Sequence, residues 1–187
     1  MSSPHTDRVR VRELEFVPLL SAEQIQRRVS ELGRELRQRL GGASNPTFLV
    51  MLNGAFIFAA DLVRASELSG EMCFVRTRSY AGTRTTREVE LLLAPEPALV
   101  RDADVVVIED IIDSGLTMQA FLPRLRELGP RSVTVVTLLH KPDVQEVELP
   151  IDLVGFAIPP HFVVGYGLDY NGRGRHLPAI YQLAQDY

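Results

Sequence analysis

Cysteine is almost missing from this 187-residue chain. Cys73 is the single one, so neither a disulfide framework nor a thiolate metal cluster can be built within the chain, and a lone cysteine in an apolar stretch reads as a small buried hydrophobe. Positive charge is also short. With 20 Lys and Arg against 24 Asp and Glu, the net charge of −4 gives no general attraction to nucleic acid or anionic lipid. No nucleic-acid or membrane partner is expected, and any anion site must be local. Long apolar runs are lacking too: "AFIFAA" (55–60) falls far below the roughly 20 residues that cross a bilayer. The polar, charged N-terminus has no signal-peptide core, and a cytoplasmic protein is the expectation. There are no internal repeats, no G-x-G-x-x-G and no Walker lysine motif. The four histidines, His5, His140, His161 and His176, match no zinc spacing, and solvent-facing or strand-edge positions suit them.

What is present is a regular alternation of helix and strand. With 45% of its residues hydrophobic, the chain can bury one core, and a single domain over 1–187 is expected. "SAEQIQRRVSELGRELRQRLGG" predicts a helix. Ser21 with Gln24 fits a capping box, Ile25, Val29, Leu32, Leu36 and Leu40 form one stripe, and Gly41 suits a left-handed stop. A buried strand follows at 47–54, then an apolar helix from Ala55, a strand at 71–80 and a polar loop at 81–88. "ADVVVIEDII", "LTMQAFLPRLRELG" and "RSVTVVTLLHK" read as strand, helix, strand, with another strand near 152–159. Strands that are apolar throughout, alternating with helices, specify an α/β fold with a mostly parallel sheet covered on both faces. Pro123 falls inside the helix after Gly115, where it predicts a kink or a later helix start.

The most informative stretch is "VVVIEDIIDSGLT" (105–117), in which four branched apolar residues run into Glu109, Asp110, Asp113, Ser114, Gly115 and Thr117. In an open parallel sheet, ligands gather outside the C-terminal strand ends. Ser114, Gly115, Leu116 and Thr117 would open a helix whose free N–H groups and dipole suit a phosphate. Adjacent carboxylates accept from a vicinal diol, so the combined specification is a ribose 5-phosphate. The competing reading is an acidic strand end followed by an ordinary helix cap. A lysine at a strand end, Lys141, offers three donors and no acceptor.

At this point the chain resembles a family. "VVVIEDIIDSGLT" is similar to the phosphoribosyl diphosphate signature of the type I phosphoribosyltransferases, and "SYAGT", "LLHKPD" and "FVVGYGLDYNGRGRHLP" narrow the likeness to the hypoxanthine-guanine branch over about residues 14–184. The resemblance implies a core of about 21–158 and a small hood from about 9–20 and 159–187. It implies Mg²⁺-dependent transfer of a phosphoribosyl group from 5-phosphoribosyl 1-diphosphate to a 6-oxopurine base, in a homodimer or homotetramer. Glu109 and Asp110 would hold the ribose hydroxyls, directly or through Mg²⁺, and residues 113–117 the 5-phosphate. Asp113 would take the purine proton, and Lys141 would donate to the six-position oxygen. Phe162 would stack on the base, and the Val163 main chain would meet its edge. Asp169, beside the base, would help bind Mg²⁺, and Arg175 would bind pyrophosphate. Ser79 and Tyr80 would root a lid at 81–88, with Arg84 and Arg87 as solvated charges.

One departure concerns the turn after the first core strand. Where the family usually has a basic residue, this chain has Leu52-Asn53-Gly54; members often place a non-proline cis peptide there. The expectation is that backbone N–H groups of Asn53, Gly54 and Ala55 bind pyrophosphate without the usual charge. Two rival functions follow from the same residues. One is a xanthine-preferring enzyme, which Lys141 does not exclude. The other is a non-catalytic regulator that senses phosphoribosyl diphosphate and binds RNA, which the negative net charge opposes.

Overall fold

The computed structural model describes residues 8–41, 45–79 and 89–184. His5, Tyr80 and the 81–88 segment with Arg84 and Arg87 lie outside the described residues, and so does the lid expectation built on them. In chain order the elements are β1 (Val9–Val11), β2 (Leu14–Leu20), α1 (Ala22–Arg39), β3 (Thr47–Leu52), α2 (Phe56–Ser66), β4 (Glu71–Ser79), β5 (Val89–Leu93), α3 (Pro97–Val100), β6 (Asp104–Ile112), α4 (Leu116–Glu127), β7 (Ser132–His140), β8 (Leu153–Ala157), β9 (Val163–Val164) and β10 (Ile180–Leu183). A single 3₁₀ turn spans Pro142–Val144.

Six strands form the central sheet in the order β5-β4-β3-β6-β7-β8. The β3–β4, β3–β6, β6–β7 and β7–β8 pairs are parallel, and only the edge strand β5 is antiparallel. The four branched residues that open β6 explain why its run is apolar on both faces. Val106 and Ile108 pack with α1 and α2 beside Phe48 and Val50, while Val105 and Val107 pack with α4 beside Leu49 and Met51. Strand β5 is not apparent in the sequence, because "VELLL" has no period-two alternation and Leu92 and Leu93 stay exposed.

Local signals account for the helix ends. In α1, the Ser21 N–H donates to Gln24 Oε1 at 2.8 Å and the Gln24 N–H to Ser21 Oγ at 3.2 Å, which closes the capping box. Ile25, Val29, Leu32 and Leu36 are buried, and Gly41 has φ +72°. Helix α4 begins at Leu116 and continues through Pro123 to Glu127, so the later start admitted for Pro123 does not occur. Its exposed ring leaves Met118, Phe121, Leu122 and Leu125 free to pack against the sheet, and that burial carries the helix past the missing N–H.

A second, four-stranded sheet, β1-β2-β10-β9, draws its strands from both ends of the chain. Phe16, Val11 and Val164 form its small core. No helix among the described residues is long and apolar enough to cross a membrane.

Candidate active site

Helix α2 leaves β3 toward one face of the central sheet and α4 leaves the neighbouring β6 toward the other. Adjacent strands whose helices part in this way open a crevice at their C-terminal ends. The candidate residues read from 53–54 and 109–117 follow β3 and end β6, at those strand ends.

Beyond Ile108, β6 emerges from its two covering layers. Glu109, Asp113, Ser114, Gly115 and Thr117 line a hollow of about 200 Å³, joined by Thr77, Ile111, Ile112 and Met118. Gly115 is the N-cap of α4 with φ +83°, and no side chain caps the helix; the one local contact is the Leu116 N–H to Ser114 Oγ at 3.5 Å. The first-turn N–H groups of a 12-residue helix therefore face the hollow with their donor capacity free for an anion. The turn is braced from outside by the Glu146 N–H, which donates to the Ser114 carbonyl at 3.0 Å.

Asp110, the neighbour of Glu109, lies against the loop that follows β3. A Cβ placed on Gly54 would sit 1.5 Å from Asp110 Oδ2, so the loop after β3 and this carboxylate touch through a position only glycine can occupy. The Leu52–Asn53 peptide is cis, and Asn53 is exposed. Glu109 and Asp110 lie within hydrogen-bonding reach of each other. Burial, and then the Asp110 charge, pushes the Glu109 carboxyl well above the usual carboxylate range; burial also pushes Asp110 upward, against the pull of the Glu109 and Ile111 hydrogen bonds and of Arg175.

Lys141, one residue past β7, is buried and donates to Asp113 Oδ2 at 2.9 Å. The lysine side chain is 8% exposed and the aspartate 54%, so the pair presents its carboxylate to solvent and its ammonium from within. Its neighbour His140, the last residue of β7, pairs with the Gln145 side chain. In the second sheet, Phe162 is 45% exposed, with Phe16 at 6.3 Å and Tyr170 edge-on at 5.8 Å. The Leu183 N–H donates to the Phe162 carbonyl at 2.8 Å, which makes Phe162 and Leu183 a hydrogen-bonded pair of the antiparallel ladder. Val163, one residue on, then turns its own N–H and C=O to the outer edge of β9.

Arg175 forms an ion pair with Asp169 at 2.7 Å and donates to the Gly167 carbonyl at 2.6 Å; Asp169 also accepts from the Gly172 N–H at 2.6 Å. Among the described residues no three of His, Cys, Asp and Glu form a metal-binding group. Glu109, Asp110 and Asp169 are therefore not gathered into one centre, because Asp169 is engaged within its own turn. Two hard carboxylates pressed together at Glu109 and Asp110 nonetheless fit Mg²⁺, which is commonly held by one or two carboxylates with phosphate oxygens completing the shell. Two contributors carry no sequence signal of their own. Thr77 lines the hollow only because β4 lies beside β3, and Tyr166 sits in "GYG" without an assigned role.

Comparison with known proteins places this arrangement among relatives. The family model described as "Phosphoribosyl transferase domain" matches residues 19–171. The hypoxanthine phosphoribosyltransferase of Escherichia coli (strain K12) is 42% identical over 164 residues, covering 87% of this chain and 92% of the relative. The hypoxanthine-guanine phosphoribosyltransferase of Mycobacterium avium is 41% identical over 176 residues, covering 88% and 87%. A crystal structure of a hypoxanthine phosphoribosyltransferase from Staphylococcus aureus superposes with a TM-score of 0.84 at 33% identity, covering 89% of this chain and 90% of that one.

Proposed function

The chain belongs to the phosphoribosyl transferase domain family, and from that premise we propose that it is a purine-salvage enzyme. It transfers the 5-phosphoribosyl group of 5-phosphoribosyl 1-diphosphate to hypoxanthine or guanine, giving IMP or GMP and pyrophosphate. The observation that carries this reading is the Lys141–Asp113 pair, at 2.9 Å, beside the hollow formed by the strand end and the uncapped turn of α4.

In this reading the 5-phosphate is held by the N–H groups of residues 114–117, with the Ser114 and Thr117 hydroxyls at hand. Glu109 and Asp110 accept from the ribose hydroxyls. The purine stacks on Phe162, its edge meets the outward main chain of Val163, and its six-position oxygen accepts from Lys141. A purine nitrogen attacks the anomeric carbon, the bond to the diphosphate breaks, and Asp113 takes the proton that the nitrogen can no longer keep. Arg175 stabilises negative charge on the departing pyrophosphate, and backbone N–H groups of Asn53 and Gly54 bind it without a charged side chain, the Ala55 N–H being taken by the Met51 carbonyl at 3.3 Å. When bound, Mg²⁺ would supply further charge neutralisation of the diphosphate, with Glu109 and Asp110 as its protein partners. The whole chain acts as one phosphoribosyltransferase domain, cytoplasmic, as a homodimer or homotetramer that light scattering will count.

The test is direct. Protein, Mg²⁺, phosphoribosyl diphosphate and each free base in turn are combined, and nucleotides are separated by chromatography. Hypoxanthine and guanine give product, whereas adenine gives none because Lys141 has no acceptor to meet on its amine. Asp113→Asn lowers kcat by about 100-fold or more. Product from no base at all overturns the reading, and an undiminished Asp113→Asn variant removes Asp113 from the chemistry.

A further inference from the structure

The segment Gly165-Tyr166-Gly167 has three successive positive φ angles, +103°, +48° and +103°. Glycine adopts such values freely, but a tyrosine does so only when its surroundings require it. Here the requirement is visible. Tyr166 is 3% exposed, and its hydroxyl donates to Asp61 Oδ2 on α2. The same oxygen accepts from Gln26 Nε2 on α1 at 3.0 Å, and the other Asp61 oxygen accepts from Arg64. Burial works against the Asp61 charge, yet the bonds from Tyr166, Gln26 and Arg64 outweigh it and keep the carboxyl ionised, while burial and that charge together keep the tyrosine protonated. The donor and the acceptor are thus fixed in their roles.

What this bond holds in place lies one residue further on. A Cβ on Gly167 would come within 2.1 Å of the Gly54 carbonyl oxygen, so two backbones meet there with no room for a side chain. Gly54 touches Asp110 on its other side. The Gly167 carbonyl accepts from Arg175 at 2.6 Å, its N–H donates to the Arg175 carbonyl at 3.0 Å, and Arg175 pairs with Asp169. Helix α2 begins just after Gly54 and carries Asp61 on its second turn. The loop after β3 and the turn bearing Asp169 and Arg175 are therefore both fastened to α2, the first by the chain itself and the second by the Tyr166 hydroxyl together with the burial of Tyr166 and Leu168 in the core that α2 shares.

Resting on the function proposed above, we propose that Tyr166 and Asp61 are positioning residues for the diphosphate: their hydrogen bond sets the separation between the Asn53–Gly54 loop and the Arg175–Asp169 turn that faces it. Neither residue touches substrate. Their effect is confined to the ligand gripped between the two segments, and the base, held by Lys141, Phe162 and Val163, lies outside it.

The experiment compares Tyr166→Phe, Asp61→Asn and Asp61→Ala in the full chain. Tyr166→Phe keeps the buried ring and leaves Asp61 its bonds from Gln26 and Arg64. It raises KM for phosphoribosyl diphosphate, and the Kd for Mg²⁺-pyrophosphate measured by calorimetry, by about tenfold, the usual worth of a hydrogen bond to a charged group. KM for hypoxanthine and kcat stay within about twofold of the parent. Asp61→Asn still accepts from the hydroxyl and so restores most of the affinity, whereas Asp61→Ala matches Tyr166→Phe, and combining the two adds little. A purely structural role predicts a lower kcat and melting temperature at unchanged KM, and that pattern overturns the proposal. So does an unchanged pyrophosphate Kd in Tyr166→Phe and Asp61→Ala. If the parent protein forms no nucleotide from any base, the function proposed above fails, while the pyrophosphate Kd values still decide for or against the pair.

Discussion

At the scale of single residues, Glu109 and Asp110 are two acids held against each other by burial. Two acids at the exit of a buried strand cannot both ionise cheaply, and burial followed by the Asp110 charge lifts the Glu109 carboxyl well above its ordinary range. A carboxyl with a raised folded pKa binds more protons folded than unfolded. Its stabilising contribution is complete below the unfolded glutamate value of about 4.3 and is lost as pH rises through the folded value. The urea midpoint of the ligand-free protein should accordingly fall as pH is raised from about 5 toward 8, and Glu109→Gln should flatten that slope. Equal slopes in parent and variant would assign the effect to other groups. That β6 carries two adjacent acids near its end was legible in the sequence. Their mutual contact and the seating of Asp110 against Gly54 were not, because both arise from the packing of β6 beside β3.

At the scale of elements, the helices followed from local signals. The capping box at Ser21 and the stripe of α1 act over three or four residues, which is the range that a sequence displays. Helix α4 is the instructive case. Pro123 argues for interruption, yet the helix runs from Leu116 to Glu127 because four side chains on its inner face are buried. Replacing the exposed Pro123 with alanine restores the N–H that would bond the Gln119 carbonyl, and should stabilise the fold by about 1–3 kcal/mol, less whatever is returned by a freer unfolded chain. A urea titration measures it. A variant no more stable than the parent would mean that the surrounding turn has adapted fully to the ring. Edge elements were harder to read. β5 lacks alternation and β9 has two residues, so neither carries a periodic signal, and each forms only because a neighbouring strand offers its free edge.

At the scale of the whole molecule, a small sheet made from both chain ends stands beside a large one made from the middle. Phe16 is fully buried in the small sheet and its ring lies 6.3 Å from Phe162. Phe16→Ala should cost about 3–5 kcal/mol if the void does not collapse. It should also raise KM for the base more than KM for phosphoribosyl diphosphate, since Phe162 and Val163 lie in the small sheet while the 114–117 turn that takes the 5-phosphate belongs to the large one. The opposite order of effects would break the assignment of the base to Phe162. Taken alone, the sequence determined the alternation of strands and helices, the acidic strand end, the hydroxyl- and glycine-bearing turn after it and the lone buried cysteine, since each depends on residues close together in the chain. Tertiary structure alone decided that Lys141 pairs with Asp113, that Asp169 answers Arg175 and not the two acids of β6, and that Tyr166 reaches Asp61 across 105 residues. Contacts of that kind are set by how layers pack, and the periodicity of a strand or a helix carries no record of which distant partner its side chains will meet.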